Sequence, residues 1–370
     1  MTTKISRRQW LIRSSAALAG TMLAGYAKAG RALAMPRYAG APIRMMYNEN
    51  PFGPSEVARQ AMIAAFPEGN LYANDARREL QSLIAEQVGV PEDYVMLGCG
   101  SSEVLNIVGM QCGINQGEVL SAYPTFEALN RYVELLGGTV RRVPLNDQMD
   151  TDFEAMRKSF TGKTKLVYIC NPNNPTGVPI PDSRRRSFCE EISKKALVFV
   201  DEAYFEYVGH PDYRSMIDLV RSGHNVIVSR TASKVHGLAG LRIGFGIAHP
   251  DLLKKLIPRL TGSTNLIGVR AATASYRDAE FQQFSLRKNR EGKEIVYRLL
   301  RETGHNFLES HTNFVFFQTG MPIQEFRREM RQRGLLVGRP FPPFLDWCRL
   351  SMAKPEEMHI FADAFRELVG

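Results

Sequence analysis

Residues 226–242 read Val226-Ile227-Val228-Ser229-Arg230-Thr231-Ala232-Ser233-Lys234-Val235-His236-Gly237-Leu238-Ala239-Gly240-Leu241-Arg242, an apolar run of strand length that leads into a polar, glycine-rich turn. Thr231 and Ser233 flank the approach to Lys234, and Arg242 follows eight residues later. Hydroxyls and a guanidinium suit a phosphate group, and a lysine beside them suits imine formation with a carbonyl compound. Because most lysines are solvated surface charges, Lys234 needs support from other motifs.

Similar apolar runs of strand length lie on both sides of this stretch, at Tyr94–Leu97, Val119–Ala122, Lys165–Cys170, Ala196–Val200 and Ile243–Ile247. Helical segments of about ten or more residues separate most of them, which is the spacing that parallel strands require. Ser55 precedes an amphipathic segment and is the expected N-cap of the first helix. The sequence therefore predicts an α/β fold with a mainly parallel sheet, in a large domain over residues 55–260.

The pattern changes after residue 260. A long charged helix around Asp278–Glu302 precedes the predicted strands Phe314–Phe317 and Leu335–Val337, which flank a helix over Ile323–Arg333. This order predicts a smaller α+β domain over residues 261–370. We expect residues 36–54 to form an N-terminal arm that joins it, so that both chain ends build one domain.

Two more polar motifs follow predicted strands, where open α/β sheets bind their ligands. The prolines and glycine of Asn171-Pro172-Asn173-Asn174-Pro175-Thr176-Gly177 force a turn, in which Asn174 presents an amide to a ligand or serves the turn alone. The motif Gly98-Cys99-Gly100-Ser101-Ser102-Glu103 opens a helix whose free N–H groups suit an anion. It lacks the full GxGxxG pattern and a Walker lysine, which argues against dinucleotides and nucleoside triphosphates.

A carboxylate ends another apolar run, in Asp201-Glu202-Ala203-Tyr204. A buried carboxylate is costly unless a cation compensates it. A protonated pyridine nitrogen would be such a partner, and a buried salt bridge or a helix cap is the alternative.

Together these motifs resemble, in order and in chemistry, the fold-type I pyridoxal-phosphate (PLP) enzymes, and within them the histidinol-phosphate aminotransferase-like group of class I/II aminotransferases. The resemblance covers about residues 45–365, from Asn48-Glu49-Asn50-Pro51-Phe52-Gly53-Pro54 through Tyr123-Pro124-Thr125 to Cys348-Arg349-Leu350-Ser351. It implies a seven-stranded, PLP-binding large domain and no metal.

The resemblance also implies a role for each matched residue. Lys234 would hold PLP as a Schiff base and move the proton at the substrate Cα, and Asp201 would pair with the pyridine nitrogen. Arg349 would grip the substrate α-carboxylate, and Asn50 is a second candidate for substrate binding. The remaining cofactor contacts implied are Asn174 and Tyr204 to the phenolic O3′, Tyr123 stacked on the ring, and Gly100, Ser101, Ser102, Thr231, Ser233 and Arg242 around the phosphate.

Tyr72 matches a tyrosine that reaches the phosphate of the neighbouring subunit, which implies a homodimer with shared active sites. The implied reaction is transamination between an amino acid and a 2-oxo acid. A PLP-dependent decarboxylase or lyase is the alternative, because the same cofactor-binding residues serve reactions at different Cα bonds. A PLP-binding regulator without turnover is disfavoured, since the residues before Asn48 are too few for a DNA-binding domain and Lys234 is present.

Two departures from the group concern the substrate pocket. Thr264-Asn265 stands where members specialised for histidinol phosphate have Tyr-Asn, and Val337-Gly338 stands where they tend to have Val-Arg, with Arg339 one residue later. We therefore expect an aminotransferase of secondary metabolism or one of broad specificity.

Composition limits the classes of binding partner that we expect for this 370-residue chain. Its net charge of +9 is spread along the sequence without a nucleic-acid motif, and its five cysteines show no metal-ligand spacing. Residues 1–35 resemble a twin-arginine export signal, with Arg7-Arg8 before an Ala/Gly-rich run too weakly apolar for a stable membrane span. The expected location is periplasmic, or cytoplasmic if this segment is only a basic tail.

Overall fold

The structure is a computed structural model and describes residues 41–210 and 212–370. The segment 1–35 that resembles an export signal, and the start of the arm, lie outside the described residues. Within the described ranges no helix combines the length and the apolar character needed to cross a bilayer. The same ranges hold no group of three or more His, Cys, Asp or Glu side chains arranged to bind a metal.

A sheet of seven strands forms the centre of the large domain, in the order β2-β8-β7-β6-β5-β3-β4. Its strands are β2 (Val95–Cys99), β3 (Glu118–Tyr123), β4 (Thr139–Pro144), β5 (Thr164–Cys170), β6 (Leu197–Asp201), β7 (Val226–Thr231) and β8 (Ile243–Ala248). Strand β8 runs antiparallel to both of its neighbours, and the other neighbouring pairs are parallel. The predicted mainly parallel α/β sheet is confirmed, and each of the six predicted apolar runs coincides with a strand, except that Tyr94 and Ala196 lie one residue before β2 and β6.

The seventh strand, β4, was not among the predicted runs. Its side chains alternate between exposed and partly buried, and it carries Arg141 and Arg142 at the sheet edge. Arg141 pairs with Glu118 at 2.8 Å, and Arg142 pairs with both Glu127 and Glu134 at 2.7 Å. Charged edge strands discourage pairing with other chains.

Helices cover both faces of this sheet. Neighbouring residues of one strand, which point to opposite faces, therefore enter different hydrophobic cores. Val198 and Val200 of β6 belong to one hydrophobic cluster, and Phe199 between them belongs to another. The helices of this part are α1 (Glu56–Ala65), α2 (Asn74–Val88), α3 (Ser101–Ile114), α4 (Ala128–Leu135), α5 (Phe153–Ser159), α6 (Asp182–Ile192), α7 (Phe205–Val208), α8 (Ile217–Arg221), α9 (Pro250–Leu256) and α10 (Leu266–Arg277). The predicted N-cap of α1 is present, since the Ser55 hydroxyl accepts a hydrogen bond from the Ala58 N–H at 3.2 Å.

The smaller unit contains α11 (Ala279–Glu302), α12 (Ile323–Gln332), α13 (Pro355–Val369) and two two-stranded sheets. One sheet pairs β9 (Phe314–Gln318) antiparallel with β11 (Trp347–Ser351). The other pairs β1 (Ile43–Met45) parallel with β10 (Leu335–Val337), and Met45 is fully buried in the same core as Phe361. Residues from both ends of the described chain thus build this unit.

The boundary predicted at residue 260 is too early. Leu266, Val269 and Ala271 of α10 are buried in the large-domain core, where α10 packs against α1 and α2. The smaller unit begins with α11, whose N-cap is Asp278. The helical pattern of α10 and α11 is nearly continuous in sequence, so periodicity alone does not show that they belong to different cores.

Candidate active site

A cavity of about 390 Å³ opens where β2, β5, β6 and β7 end. Its walls also include the arm residues 46–49 and residues of the smaller unit. The predicted site residues that line it are Ser101, Ser102, Asn174, Asp201, Tyr204, Thr231, Ser233, Lys234, Arg242 and Arg349. The fold therefore brings the separate motifs together in one place.

Asp201 ends β6 with its side chain almost fully buried. One carboxylate oxygen accepts hydrogen bonds from the Ser229 hydroxyl at 3.0 Å and the Ala203 N–H at 3.2 Å, and the other lies 3.5 Å from the Tyr168 hydroxyl. Burial raises the pKa of Asp201 to about 6, against these hydrogen bonds and the positive charge of Lys234, which lower it. A cationic N–H in the cavity would offset the cost of that buried charge.

Lys234 extends into the same cavity from the turn after β7. Its Nζ donates to the main-chain oxygen of Asn48 at 3.2 Å and lies 5.4 Å from the centre of the Tyr204 ring. Burial lowers the pKa of Lys234 to about 8. The positive charge of Arg349, which also lowers this pKa, outweighs the negative charge of Asp201, which raises it. A substantial fraction of the amine is therefore neutral and nucleophilic near physiological pH.

Hydroxyls, a guanidinium and a helix N-terminus converge at one end of the cavity. Ser101 and Ser102 begin α3, whose first N–H groups have no helical acceptor. Thr231 donates to the Ser233 hydroxyl at 2.9 Å, and the Arg242 guanidinium lies 3.4 Å from the Cys99 oxygen. This combination suits a phosphate group.

Two glycines allow that close approach. Gly100 has a φ of +81°, and a Cβ there would collide with the guanidinium of Arg242. A Cβ on Gly244 of β8 would collide with the main chain at Gly100 and Ser101. Gly100 itself does not line the cavity, so its contribution is to the shape of the turn.

Arg349 of β11 faces the cavity from the smaller unit and is 8 % exposed. Its guanidinium donates to the Asn174 side-chain oxygen and to the Met46 main-chain oxygen, both at 2.7 Å, and lies 4.9 Å from the Phe341 ring centre. Burial lowers the pKa of Arg349 to about 10, so the group remains a cation at neutral pH. Asn174 holds this cation and also faces the cavity.

Two further predicted cofactor-binding residues, Tyr123 and Tyr72, do not line the cavity of this chain. The Tyr123 ring is not part of the cavity wall and lies 5.9 Å from the Arg142 guanidinium, whereas Phe126 lines the cavity. The role of Tyr123 as the stacking ring stays a prediction, and Phe126, three residues later, is the aromatic side chain of this turn that lines the cavity. Tyr72 is 91 % exposed and reaches no part of this chain's own cavity.

Asn50, predicted to bind the substrate, does not line this cavity. The Asn50 amide donates to the Val235 oxygen at 2.8 Å and to the Ser285 hydroxyl at 3.0 Å, away from the cavity wall. Asn48, two residues earlier, lines the cavity instead. His236, two residues after Lys234, is buried with Nδ1 3.0 Å from the Ser275 hydroxyl, so it serves packing.

These residues fit pyridoxal phosphate in three independent ways. A phosphate group suits the turn at α3, a pyridinium N–H suits the buried Asp201, and an aldehyde suits the amine of Lys234. Because one cavity combines all three within this α/β fold, the fold and the site define a PLP-dependent enzyme of fold type I.

Comparisons with known proteins specify the class further. The sequence pattern described as Aminotransferase class I and II matches residues 42–365, and the chain belongs to this family. Its relatives include a histidinol-phosphate aminotransferase from Bacillus cytotoxicus, 34 % identical over 318 residues that make up 85 % of each chain. Another, from Anoxybacillus flavithermus, is 36 % identical over 299 residues, or 80 % of each chain.

Solved structures agree with this family assignment. The histidinol-phosphate aminotransferase from Sinorhizobium meliloti in complex with pyridoxal-5'-phosphate has a TM-score of 0.81 and 27 % identity, covering 90 % of this chain and 92 % of that one. An L-threonine-O-3-phosphate decarboxylase from Porphyromonas gingivalis has a TM-score of 0.74 at 17 % identity, covering 88 % and 99 %, which shows the fold alone. The protein is a PLP-dependent aminotransferase, and the decarboxylase or lyase alternative is not favoured.

Proposed function

We propose that this aminotransferase acts on α-amino acids whose carboxylate binds Arg349, in an exported homodimer with shared active sites. The observation that carries the substrate proposal is the position of Arg349. It is a buried cation in the wall of the cavity that also holds Lys234 and Asp201.

The proposed mechanism follows from what each side chain offers. Bound PLP supplies an electron-withdrawing ring that stabilises negative charge at the substrate Cα. Asp201 keeps the ring nitrogen protonated, and Arg349 fixes the substrate so that its Cα–H bond has one orientation. Lys234 Nζ would accept the proton from Cα, and the amino group would be retained in the site when the first 2-oxo acid leaves. A second 2-oxo acid in the same position would take up that amino group by the reverse steps.

The substrate proposal is tested with Arg349→Lys, which keeps the charge but loses the bidentate fork. We expect kcat/KM for α-amino acids to fall about a hundredfold, because a planar fork pairs with a carboxylate better than an ammonium does. Histidinol phosphate, the substrate in the names of the relatives, has no α-carboxylate, so its turnover should change much less. Arg327→Lys on α12 is the matched control. Equal losses for both kinds of substrate would contradict the assignment of Arg349.

A homodimer is supported by exposed apolar side chains from the last turn of α1 to the residues before α2. Ile63, Phe66, Leu71 and Tyr72 are 57 %, 63 %, 59 % and 91 % exposed, which is unusual for four large apolar residues so close in sequence. A partner subunit covering them would bring Tyr72 to the neighbouring cavity.

Subunit complementation tests this arrangement. Lys234→Ala and Tyr72→Ala chains, each weakly active alone, are unfolded and refolded together. In a shared site, one of the two sites in each mixed dimer has both residues intact, so random pairing restores about a quarter of the wild-type activity. No recovery, in a mixture shown by light scattering to be dimeric, would contradict the shared site.

Export is proposed from Arg7-Arg8 and the apolar run that follows them. Cell fractionation of the natural host tests it, with mature N-terminal sequencing of the periplasmic protein. An Arg7→Lys/Arg8→Lys chain should stay in the cytoplasm with its full residue 1–35 segment. Equal distribution of both chains would contradict twin-arginine export.

A further inference from the structure

Asn48 occupies a strained backbone position inside the active site. It is 1 % exposed and has a φ of +56°, in the arm between β1 and α1. Asparagine is among the few residues other than glycine that adopt this left-handed conformation.

The orientation of the Asn48 amide is determined by Ser351. The Asn48 main-chain N–H donates to the Ser351 hydroxyl at 2.8 Å, and that hydroxyl donates its single proton to the Asn48 side-chain oxygen at 2.7 Å. The side-chain NH₂ must therefore point the other way. It donates to the hydroxyl oxygen of Tyr204 at 2.8 Å.

This contact leaves the Tyr204 hydroxyl free to donate a hydrogen bond to a ligand. Its oxygen accepts from Asn48, and over the described residues its own proton has no acceptor. Tyr204 lines the cavity, so the proton is available to a ligand there. Burial also raises the pKa of Tyr204, which keeps the hydroxyl protonated.

The same residue contacts the active-site lysine. The main-chain oxygen of Asn48 accepts from Lys234 Nζ at 3.2 Å and from the Asn313 amide at 2.9 Å. Its partner Ser351 lies on β11, two residues after Arg349. Asn48 thus connects the lysine, the tyrosine and the strand of the carboxylate-binding arginine.

We propose that Asn48 is a positioning residue whose amide makes the Tyr204 hydroxyl a hydrogen-bond donor to the phenolic oxygen of bound PLP. The inference rests on the proposed binding of PLP with its phenolic oxygen beside the Tyr204 hydroxyl. A donor at this oxygen stabilises its ionised form and so lowers the pH at which the visible absorbance of the PLP-loaded protein titrates. Loss of the donor raises that pH.

Two substitutions distinguish the role of the Asn48 side-chain amide from the role of its main-chain oxygen. Asn48→Gly removes the amide but tolerates the left-handed backbone and keeps the main-chain oxygen that faces Lys234. Asn48→Asp replaces the donor with a carboxylate, which accepts the Tyr204 proton and turns it away from the cavity. Asn313→Ala is the matched control, because Asn313 contacts the Asn48 main chain and not Tyr204.

The experiment is a pH titration of the absorbance of each PLP-loaded variant. We expect Asn48→Gly to raise the titration pH by about one unit, Asn48→Asp to raise it at least as much, and Asn313→Ala to leave it unchanged. In a Tyr204→Phe background, Asn48→Gly should add no further shift, since it acts through the hydroxyl.

The outcomes distinguish this inference from the site assignment. An unshifted titration in Asn48→Gly, or an equal shift with and without the Tyr204 hydroxyl, would overturn the role of Asn48 alone. A wild-type protein whose absorbance does not respond to added PLP would contradict the site itself.

Discussion

Asp201→Asn should stabilise the protein without its cofactor and impair the protein that contains it. The substitution keeps the shape of the side chain and an oxygen that can accept from Ser229 and Ala203, at 3.0 and 3.2 Å in the native site. It removes a buried negative charge that its hydrogen bonds and the positive charge of Lys234 offset only in part until PLP binds. Opposite effects in the two forms are expected from a residue that serves a ligand.

The magnitude follows from the pKa of Asp201, which burial raises from 3.8 to about 6. At about 1.4 kcal/mol for each pH unit, the buried charge costs about 3 kcal/mol of folding free energy. A carboxyl with a raised pKa holds its proton more tightly when folded. The PLP-free wild type therefore loses stability as the pH rises from about 4 to about 6, and the loss is complete above that range.

The assay is urea unfolding of the PLP-free proteins, followed by fluorescence. At about pH 7.5 the Asp201→Asn protein should be more stable than the wild type by up to about 3 kcal/mol, and near pH 4 the two should be similar. Asp147→Asn, at an exposed position, is the control. Adding PLP should stabilise the wild type more than Asp201→Asn. Equal stability at pH 7.5, or the same pH dependence in both proteins, would refute the reasoning.

Two further outcomes follow from the site. The rate at which PLP-free protein takes up PLP, measured by stopped-flow absorbance, should rise with the neutral fraction of Lys234 and level off above about pH 8, since burial lowers that pKa; a rate that climbs through pH 10 would indicate an ordinary lysine. Gly244→Ala should weaken PLP and inorganic phosphate binding by roughly tenfold or more in a fluorescence titration, because its Cβ would displace the turn at Ser101. Gly162→Ala, with no atom near its added Cβ, should bind as the wild type does.

The large domain was predictable because its buried strands are apolar along their whole length and end in polar turns. Strand β5 is buried at nearly every position, and the Asn-Pro motif begins directly after it. Because parallel strands place their carboxyl ends at one edge, residues as far apart in sequence as Asn174 and Lys234 could be assigned to one site. Strand β4 lacked that signal, since its arginines satisfy their charge through ion pairs that only the fold creates.

Within the site, two short motifs each contain two chemically similar candidates, of which only one lines the cavity. Asn48 and Asn50 stand two residues apart, and the one that lines the cavity is Asn48, which has a left-handed backbone. Tyr123 and Phe126 are both aromatic, and the turn between them determines which ring lines the wall. Residue type and spacing do not specify such backbone angles. The signal that was present in the sequence is the asparagine itself, a residue that tolerates positive φ.

The central claim is that Lys234 binds the cofactor covalently in this cavity. Borohydride reduction of the purified PLP-loaded protein, followed by peptide mass mapping, tests it directly. We predict a phosphopyridoxyl group on the peptide that contains Lys234, and no labelled peptide from Lys234→Ala. A label on a different lysine of the wild type, or labelling that persists in Lys234→Ala, would contradict the account.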